Sequence, residues 1–426
     1  MGHGGAQCGF CSPGFIMSAK QLLEENPSPT REEVREWFQK YRNACRCTGY
    51  LPLVNAVMDA AKVLRGEMKK EELLFKPQNN NIVGTYYHRP SALAKVTGTW
   101  DYGADIALQM PDNTLHLALV QAEVSHANIL SIDASEALKV PGVHKVITHE
   151  DVKGNNRITG LITFSTNKGD GWDRPILCDK KVFQYGDAIA IVAADTEEIA
   201  REAAKKVKVE LELLPAYMDI YSAMDEDAIE IHPGTPNVYF QINNIKGNDT
   251  KEFMETAEFV SETSTYSSRQ PHLPLEPDCG SAYIDEEGRL TIHSKSIGIH
   301  LHSAMINTGI GVELDKLRLI QNPAGGTFGY KFSPTMEALL GVACLACDSR
   351  PVSLVYNMYQ QITYTGKRSP AFMNLKVAAD KDGKILGIEG ENYIDHGPYS
   401  EFGDLLTLRL AQYHFAGYDI PNIRTK

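Results

Sequence analysis

Two tight pairs of cysteines are the residues of this chain best suited to chemistry: Cys8-Gly9-Phe10-Cys11, and later Cys45-Arg46-Cys47. Four thiolates satisfy a [2Fe–2S] cluster, two per iron, and pairs two or three positions apart can each chelate one iron. Gly9 and the glycines nearby let backbone N–H groups approach the sulfurs, which tunes a reduction potential. Four cysteines also suit a tetrahedral structural zinc. A thioredoxin-like C-x-x-C leaves the second pair unexplained. Spacing alone favours iron–sulfur over zinc only modestly.

The other candidates are plainer. Gly325-Gly326-Thr327-Phe328-Gly329 follows an expected strand, Leu317 to Gln321, and its glycines suit close backbone approach to a ligand. It is not a Gly-x-Gly-x-x-Gly fingerprint, and an ordinary turn has the same composition. Cys344 and Cys347 fall on an apolar helix and read as core thiols. His300 and His302 form half a metal site without a partner motif, and read as core or surface histidines. Cys178 and Cys279 stand alone. Glu276, between prolines, reads as a buried or turn carboxylate.

The elements around the first two pairs are helical. Ser12-Pro13 opens a helix with Phe15, Ile16, Ala19, Leu22 and Leu23 on one face, and Asn26-Pro27 ends it. Thr30 and Glu33 form a capping-box pattern for a second helix with Val34, Trp37, Phe38 and Tyr41 inward. A third spans about Leu53 to Leu64, with Val54, Val57, Ala61 and Leu64 inward. These helices make a bundle, residues 1–66, with the cysteines at its loop ends. Residues 67–88 read as a linker, with a charge run, Pro77 and Asn79-Asn80-Asn81.

Residues 89–215 read as a compact α/β domain. Its expected strands include Leu115 to Gln121, Val143 to Thr148, Ile189 to Ala193 and Val207 to Leu213. Its helices are Ser135 to Lys139 and Thr196 to Lys206. Residues 216–426 read as a larger mixed domain, with hairpin turns at Asp285-Glu286-Glu287-Gly288 and at Asp380 to Lys384. Ser333-Pro334 opens its apolar helix, which runs to about Cys347. The fold class is multi-domain, α/β and α+β.

The 426 residues are 43% hydrophobic and 23% charged, so packed cores form readily. A formal net charge of −12 argues against a nucleic-acid partner. No apolar run is long enough for a membrane-spanning helix, and the N-terminus lacks a secretory pattern. Eight cysteines are too few for a disulfide scaffold. A cytoplasmic location with reduced or metal-bound thiols is expected.

Gln7-Cys8-Gly9-Phe10-Cys11-Ser12-Pro13-Gly14 and Cys45-Arg46-Cys47-Thr48-Gly49-Tyr50 resemble the paired signatures of the molybdenum hydroxylases, the family of xanthine dehydrogenases and aldehyde oxidases. Gln270-Pro271-His272-Leu273-Pro274-Leu275-Glu276-Pro277, Gly325 to Lys331 and Tyr364-Thr365-Gly366-Lys367-Arg368-Ser369-Pro370 resemble later family segments. The likeness covers nearly the whole chain and is nearest to the aldehyde-oxidising members from sulfate-reducing bacteria.

The resemblance implies a helical [2Fe–2S] domain, an α/β hammerhead domain and the first part of a molybdopterin-binding domain. It implies Cys8, Cys11, Cys45 and Cys47 as iron ligands, with Gln7 and Cys47 facing the pterin. The backbone of Phe328 and Gly329 would lie at the molybdenum. Phe332 stands where purine-oxidising relatives carry a substrate-binding glutamate, which implies an aldehyde pocket. The implied cofactors are the [2Fe–2S] cluster and a molybdenum pyranopterin, in its cytosine dinucleotide form. The implied reaction oxidises aldehydes to carboxylic acids with water as oxygen source, electrons passing through the pterin to the cluster and on to an acceptor protein, in a homodimeric complete enzyme.

Two departures from the family pattern stand out. Met1 leaves no room before Gln7 for the family's ferredoxin-type domain. The chain also ends at Lys426, ahead of the segment that in relatives carries the rest of the pterin site and the general-base glutamate, so no residue here is assigned that role. A non-catalytic electron-transfer or metal-binding fragment, needing a partner chain for activity, is the alternative expectation.

Overall fold

A computed structural model describes residues 1–73, 83–85, 87–160, 171–413 and 417–426. Much of the expected linker, with Pro77 and Asn79-Asn80-Asn81, lies outside the described residues.

Three helices form the N-terminal bundle: α1 (Ser12–Glu25), α2 (Arg31–Lys40) and α3 (Leu51–Leu64). Pro13 sits in the first turn of α1, where its missing N–H costs nothing. The Thr30 hydroxyl accepts from the Glu33 N–H at 3.2 Å, and the Glu33 carboxylate accepts from the Thr30 N–H at 2.7 Å. That reciprocal cap starts α2 as the sequence predicts. Phe15, Leu22, Val34, Phe38, Val54, Val57 and Ala61 form the bundle core. Phe15 and Phe38 meet edge to face, ring centres 4.7 Å apart. Ile16, Tyr41 and Leu64, expected inward, are exposed. They sit at the margins of their apolar stripes, and a three-helix bundle covers only part of each helix.

The main sheet has seven strands, in the order Leu317–Gln321, Leu290–Ser294, Cys279–Ile284, Val352–Val355, Leu115–Gln121, Ala188–Ala194 and Val143–Ile147. It crosses the sequence boundary at residue 215. Leu115–Gln121 pairs in parallel with Val352–Val355 on one side and antiparallel with Ala188–Ala194 on the other. The helices Ile299–Ile310 and Thr335–Ala346 cover it. Thr335–Ala346 is buried from Thr335 to Cys344, which explains its apolarity all round. Leu115, Ile191, Ile292, Met336, Leu340 and Leu354 share this core.

A second sheet orders Phe259–Ser267, Ala371–Ala379, Ile385–Ile394, Ile423–Thr425 and Asn244–Lys246. The turns at Asp285–Gly288 and Asp380–Lys384 close hairpins as expected. Ser135 to Lys139, expected as a helix, is a turn segment. Asp133 accepts from the Ser135 N–H, a single α-turn bond joins the Leu138 N–H to the Ala134 carbonyl, and Pro141 follows, which disfavours helix in the residue before it. One turn is too short to propagate. Among the described residues no helix is long and apolar enough to cross a membrane.

Candidate functional site

Both cysteine loops pack on the bundle core, with Cys45 buried and Cys11 and Cys47 against the same cluster of side chains. The thiols meet in cross pairs. The Cys47 thiol acts most strongly of the other three on Cys8, and the Cys45 thiol on Cys11. Helices α1 and α3 present the two loops face to face, so each thiol's neighbour comes from the opposite loop. Among the described residues no group of three or more His, Cys, Asp or Glu side chains is arranged for a single metal ion.

Burial pushes the Cys8 thiol up to about 11, with Cys47 adding to the rise. Burial pushes Cys11 up as well, with Cys45 next. Burial also acts upward on Cys45, yet its thiol is held below its ordinary value. The Thr48 hydroxyl donates to the Cys45 sulfur at 3.3 Å, and the N–H groups of Cys47 and Thr48 point at it. Donors aimed at a sulfur stabilise its thiolate, the form that binds metal.

Three side chains from beyond the bundle grip the first loop. Lys95 Nζ donates to the Gln7 carbonyl at 2.9 Å, and Arg89 reaches the same oxygen at 3.3 Å. The Tyr102 hydroxyl donates to the Cys8 carbonyl at 2.9 Å. Gly9 has φ +89°, and a Cβ there would lie 2.7 Å from the Tyr102 hydroxyl. Only glycine fits that turn.

The glycine-rich segment lies alongside. The Arg46 guanidinium sits 6.0 Å from the centre of the Phe328 ring. A Cβ on Gly325 would come within 2.8 Å of the Phe10 ring and 2.4 Å of the Glu276 Cβ. Phe328 and Gly329 both take left-handed backbone, φ +53° and +96°. That backbone breaks any strand ladder at this turn. The Glu276 carboxylate accepts from the Gly325 N–H and pairs with Lys295, both side chains buried. Lys331 and Asp278 form a second buried contact at 3.8 Å. Glu276, expected to be a buried or turn carboxylate, is buried and anchors the segment.

Phe332 is 43% exposed, enough to face a ligand. Its ring meets Phe402 edge to face at 5.3 Å and His302 at 6.5 Å. His302 is buried and shares a hydrogen bond with the Ser296 hydroxyl at 2.6 Å; burial lowers its pKa to about 4. It is a core histidine, as expected. Cys344 and Cys347 are buried core thiols. Arg46, Lys95, Tyr102, Lys295 and Phe402 escaped the sequence reading, because each acts on a partner distant in the chain; only Arg46, between two cysteines, carried a local signal.

Three family models match the chain. They are a [2Fe–2S] binding domain over residues 1–58, the aldehyde oxidase and xanthine dehydrogenase a/b hammerhead domain over residues 97–215, and a molybdopterin cofactor-binding domain over residues 231–426. The chain is 66% identical over 423 residues to an aldehyde oxidoreductase of Megalodesulfovibrio gigas, covering 99% of this chain and 46% of that protein. It is 30% identical over 343 residues to the nicotinate dehydrogenase large molybdopterin subunit of Eubacterium barkeri, covering 80% of this chain and 77% of that protein. The solved aldehyde oxidoreductase from Desulfovibrio gigas superposes with a TM-score of 0.97 at 65% identity, over 100% of this chain and 47% of that one. The chain spans about half the length of the aldehyde oxidoreductases it matches.

Proposed function

Since this chain belongs to the molybdenum hydroxylase family, we propose that it forms the iron–sulfur and front molybdopterin-binding part of an aldehyde oxidoreductase. One observation carries this reading. The cysteine loops and the glycine-rich segment, far apart in the chain, pack together through Arg46 on Phe328 and Phe10 on Gly325.

The residues fit the groups they would hold. Cys8 with Cys47 suits one iron and Cys11 with Cys45 the other, which ties both loops to one cluster. A [2Fe–2S] cluster accepts electrons singly, and a molybdenum pyranopterin, when bound, supplies oxidation of an aldehyde carbon with water as oxygen source. Gln7 and Cys47 would face that pterin, Cys47 also serving as an iron ligand. The backbone of Phe328 and Gly329 would hold the metal end by close approach. Phe332 and Phe402 exclude water and take the apolar body of the aldehyde. A purine edge placed there would lose hydrogen bonds worth about 1–3 kcal/mol per group. The cytosine dinucleotide form of the pterin, a protein electron acceptor, a homodimeric complete enzyme and a cytoplasmic location belong to the same reading, on family likeness.

The test is composition followed by turnover. Holoenzyme purified without oxygen should contain iron, sulfide and molybdenum, release cytidine nucleotide on acid hydrolysis, and oxidise aldehydes far faster than xanthine. Efficient xanthine oxidation, or zinc in place of iron, defeats the proposal.

A further inference from the structure

Arg174 lies in a two-residue strand of the α/β segment, and its side chain is 2% exposed. It stacks between two aromatic rings, its guanidinium 4.6 Å from the centre of Tyr399 and 5.1 Å from that of Tyr364. It donates to Glu401 at 3.2 Å and to the Tyr364 carbonyl at 3.3 Å, and faces Asp187 at 3.8 Å. Asp187 in turn accepts from the Tyr399 hydroxyl at 2.5 Å. Two residues before Arg174, the Trp172 carbonyl accepts from the Ser400 N–H at 3.0 Å. Every residue from Tyr399 to Glu401 is therefore held by the α/β segment. The next residue is Phe402, whose ring packs on Phe332.

A buried arginine between two carboxylates is a poor device for stability, because apolar side chains of equal volume commonly do as well. What it gives is one fixed geometry. Glu401 needs fixing: its φ of +28° is a strained conformation for a side chain with a Cβ.

We propose that Arg174 is a positioning residue for the aldehyde pocket, locking residues 399–401 so that Phe402 closes on Phe332 and sets how bulky an aldehyde enters. The inference rests on the reading of Phe332 as a pocket wall. It gives the α/β segment a part in substrate selection.

The experiment compares benzaldehyde with acetaldehyde in the holoenzyme and, separately, follows backbone hydrogen exchange over residues 399–404. Arg174→Met should raise the KM for benzaldehyde about tenfold. The kcat for both aldehydes should stay within about twofold. Exchange should rise over 399–404 and stay unchanged in the cysteine loops. Arg174→Lys, which keeps the charge, should recover part of the KM. If Arg174→Met fails to fold, Glu401→Gln keeps the shape and removes the charge, and should show the same pattern more weakly. Phe332→Ala and Phe402→Ala report on the pocket itself. If both leave the benzaldehyde-to-acetaldehyde ratio untouched, the pocket reading falls and this inference with it. If both shift the ratio while the Arg174 and Glu401 variants lower kcat equally for the two aldehydes, or leave exchange unmoved, the inference alone is overturned.

Discussion

The Arg46 guanidinium lies 6.0 Å from the centre of the Phe328 ring, so the residue between the second pair of thiols also touches the glycine-rich segment. The contact is a cation–π pair, worth about 0.5–1 kcal/mol where water reaches it. Arg46→Ala should leave iron and sulfide content intact and lower molybdenum occupancy by about twofold to fivefold. Metal analysis of both elements in one preparation checks this. Equal loss of iron and molybdenum would show that Arg46 merely supports the bundle.

The proposed assignment of Cys8 with Cys47 to one iron and Cys11 with Cys45 to the other predicts a pattern of damage. Serine at Cys8 and at Cys47 should harm the same iron, and serine at Cys11 and at Cys45 the other. Wild-type protein should carry about two irons and two sulfides per chain. Electron paramagnetic resonance of the reduced variants should sort them into the groups Cys8 with Cys47 and Cys11 with Cys45. Grouping by sequence neighbour instead would refute the assignment.

Glu337 is buried beside the Lys331–Asp278 contact, and the Ser294 hydroxyl donates to it at 2.5 Å. Burial raises its carboxyl from 4.5 to about 7, with Asp278 adding to the rise and Ser294 and Lys331 opposing it. The folded chain thus holds this proton more tightly than the unfolded chain. The stability it confers is complete below pH 4.5 and is lost as pH climbs through about 7. Glu337→Gln, which imitates the protonated acid, should gain on the wild type across that window, by on the order of 3 kcal/mol at most. Denaturant melts at a series of pH values test this, and a pH-independent difference between the two proteins would sink it.

Phe332→Glu places a hydrogen-bonding carboxylate where the ring now meets Phe402. The kcat/KM for aromatic aldehydes should fall by about tenfold, near 1.4 kcal/mol of transition-state binding. Activity toward xanthine should rise against it. An unchanged ratio of the two would mean that Phe332 is only packing.

Local signals in the sequence are legible. The Thr30–Glu33 cap, Pro13 in the first turn of α1 and the Asp285–Gly288 hairpin each depend on residues a few positions apart, and each is where the pattern placed it. Ser135 to Lys139 misled because one turn of helix-favouring residues looks like the start of a longer helix. The site was half legible. The cysteines and glycines declare themselves by type and spacing. Lys95, Tyr102 and Arg174 carry no such mark, since their roles come from chain segments that only folding brings together.

The strand Leu115–Gln121 finds its parallel partner in Val352–Val355. During synthesis the first leaves the ribosome long before the second exists. At about 5–20 residues per second the wait is on the order of ten to fifty seconds. Throughout it, one side of a strongly apolar strand has no neighbour. The nascent chain therefore needs shelter, from a chaperone or from a provisional partner strand, until Val352 arrives, and slow translation of the intervening stretch would lengthen its exposure to aggregation.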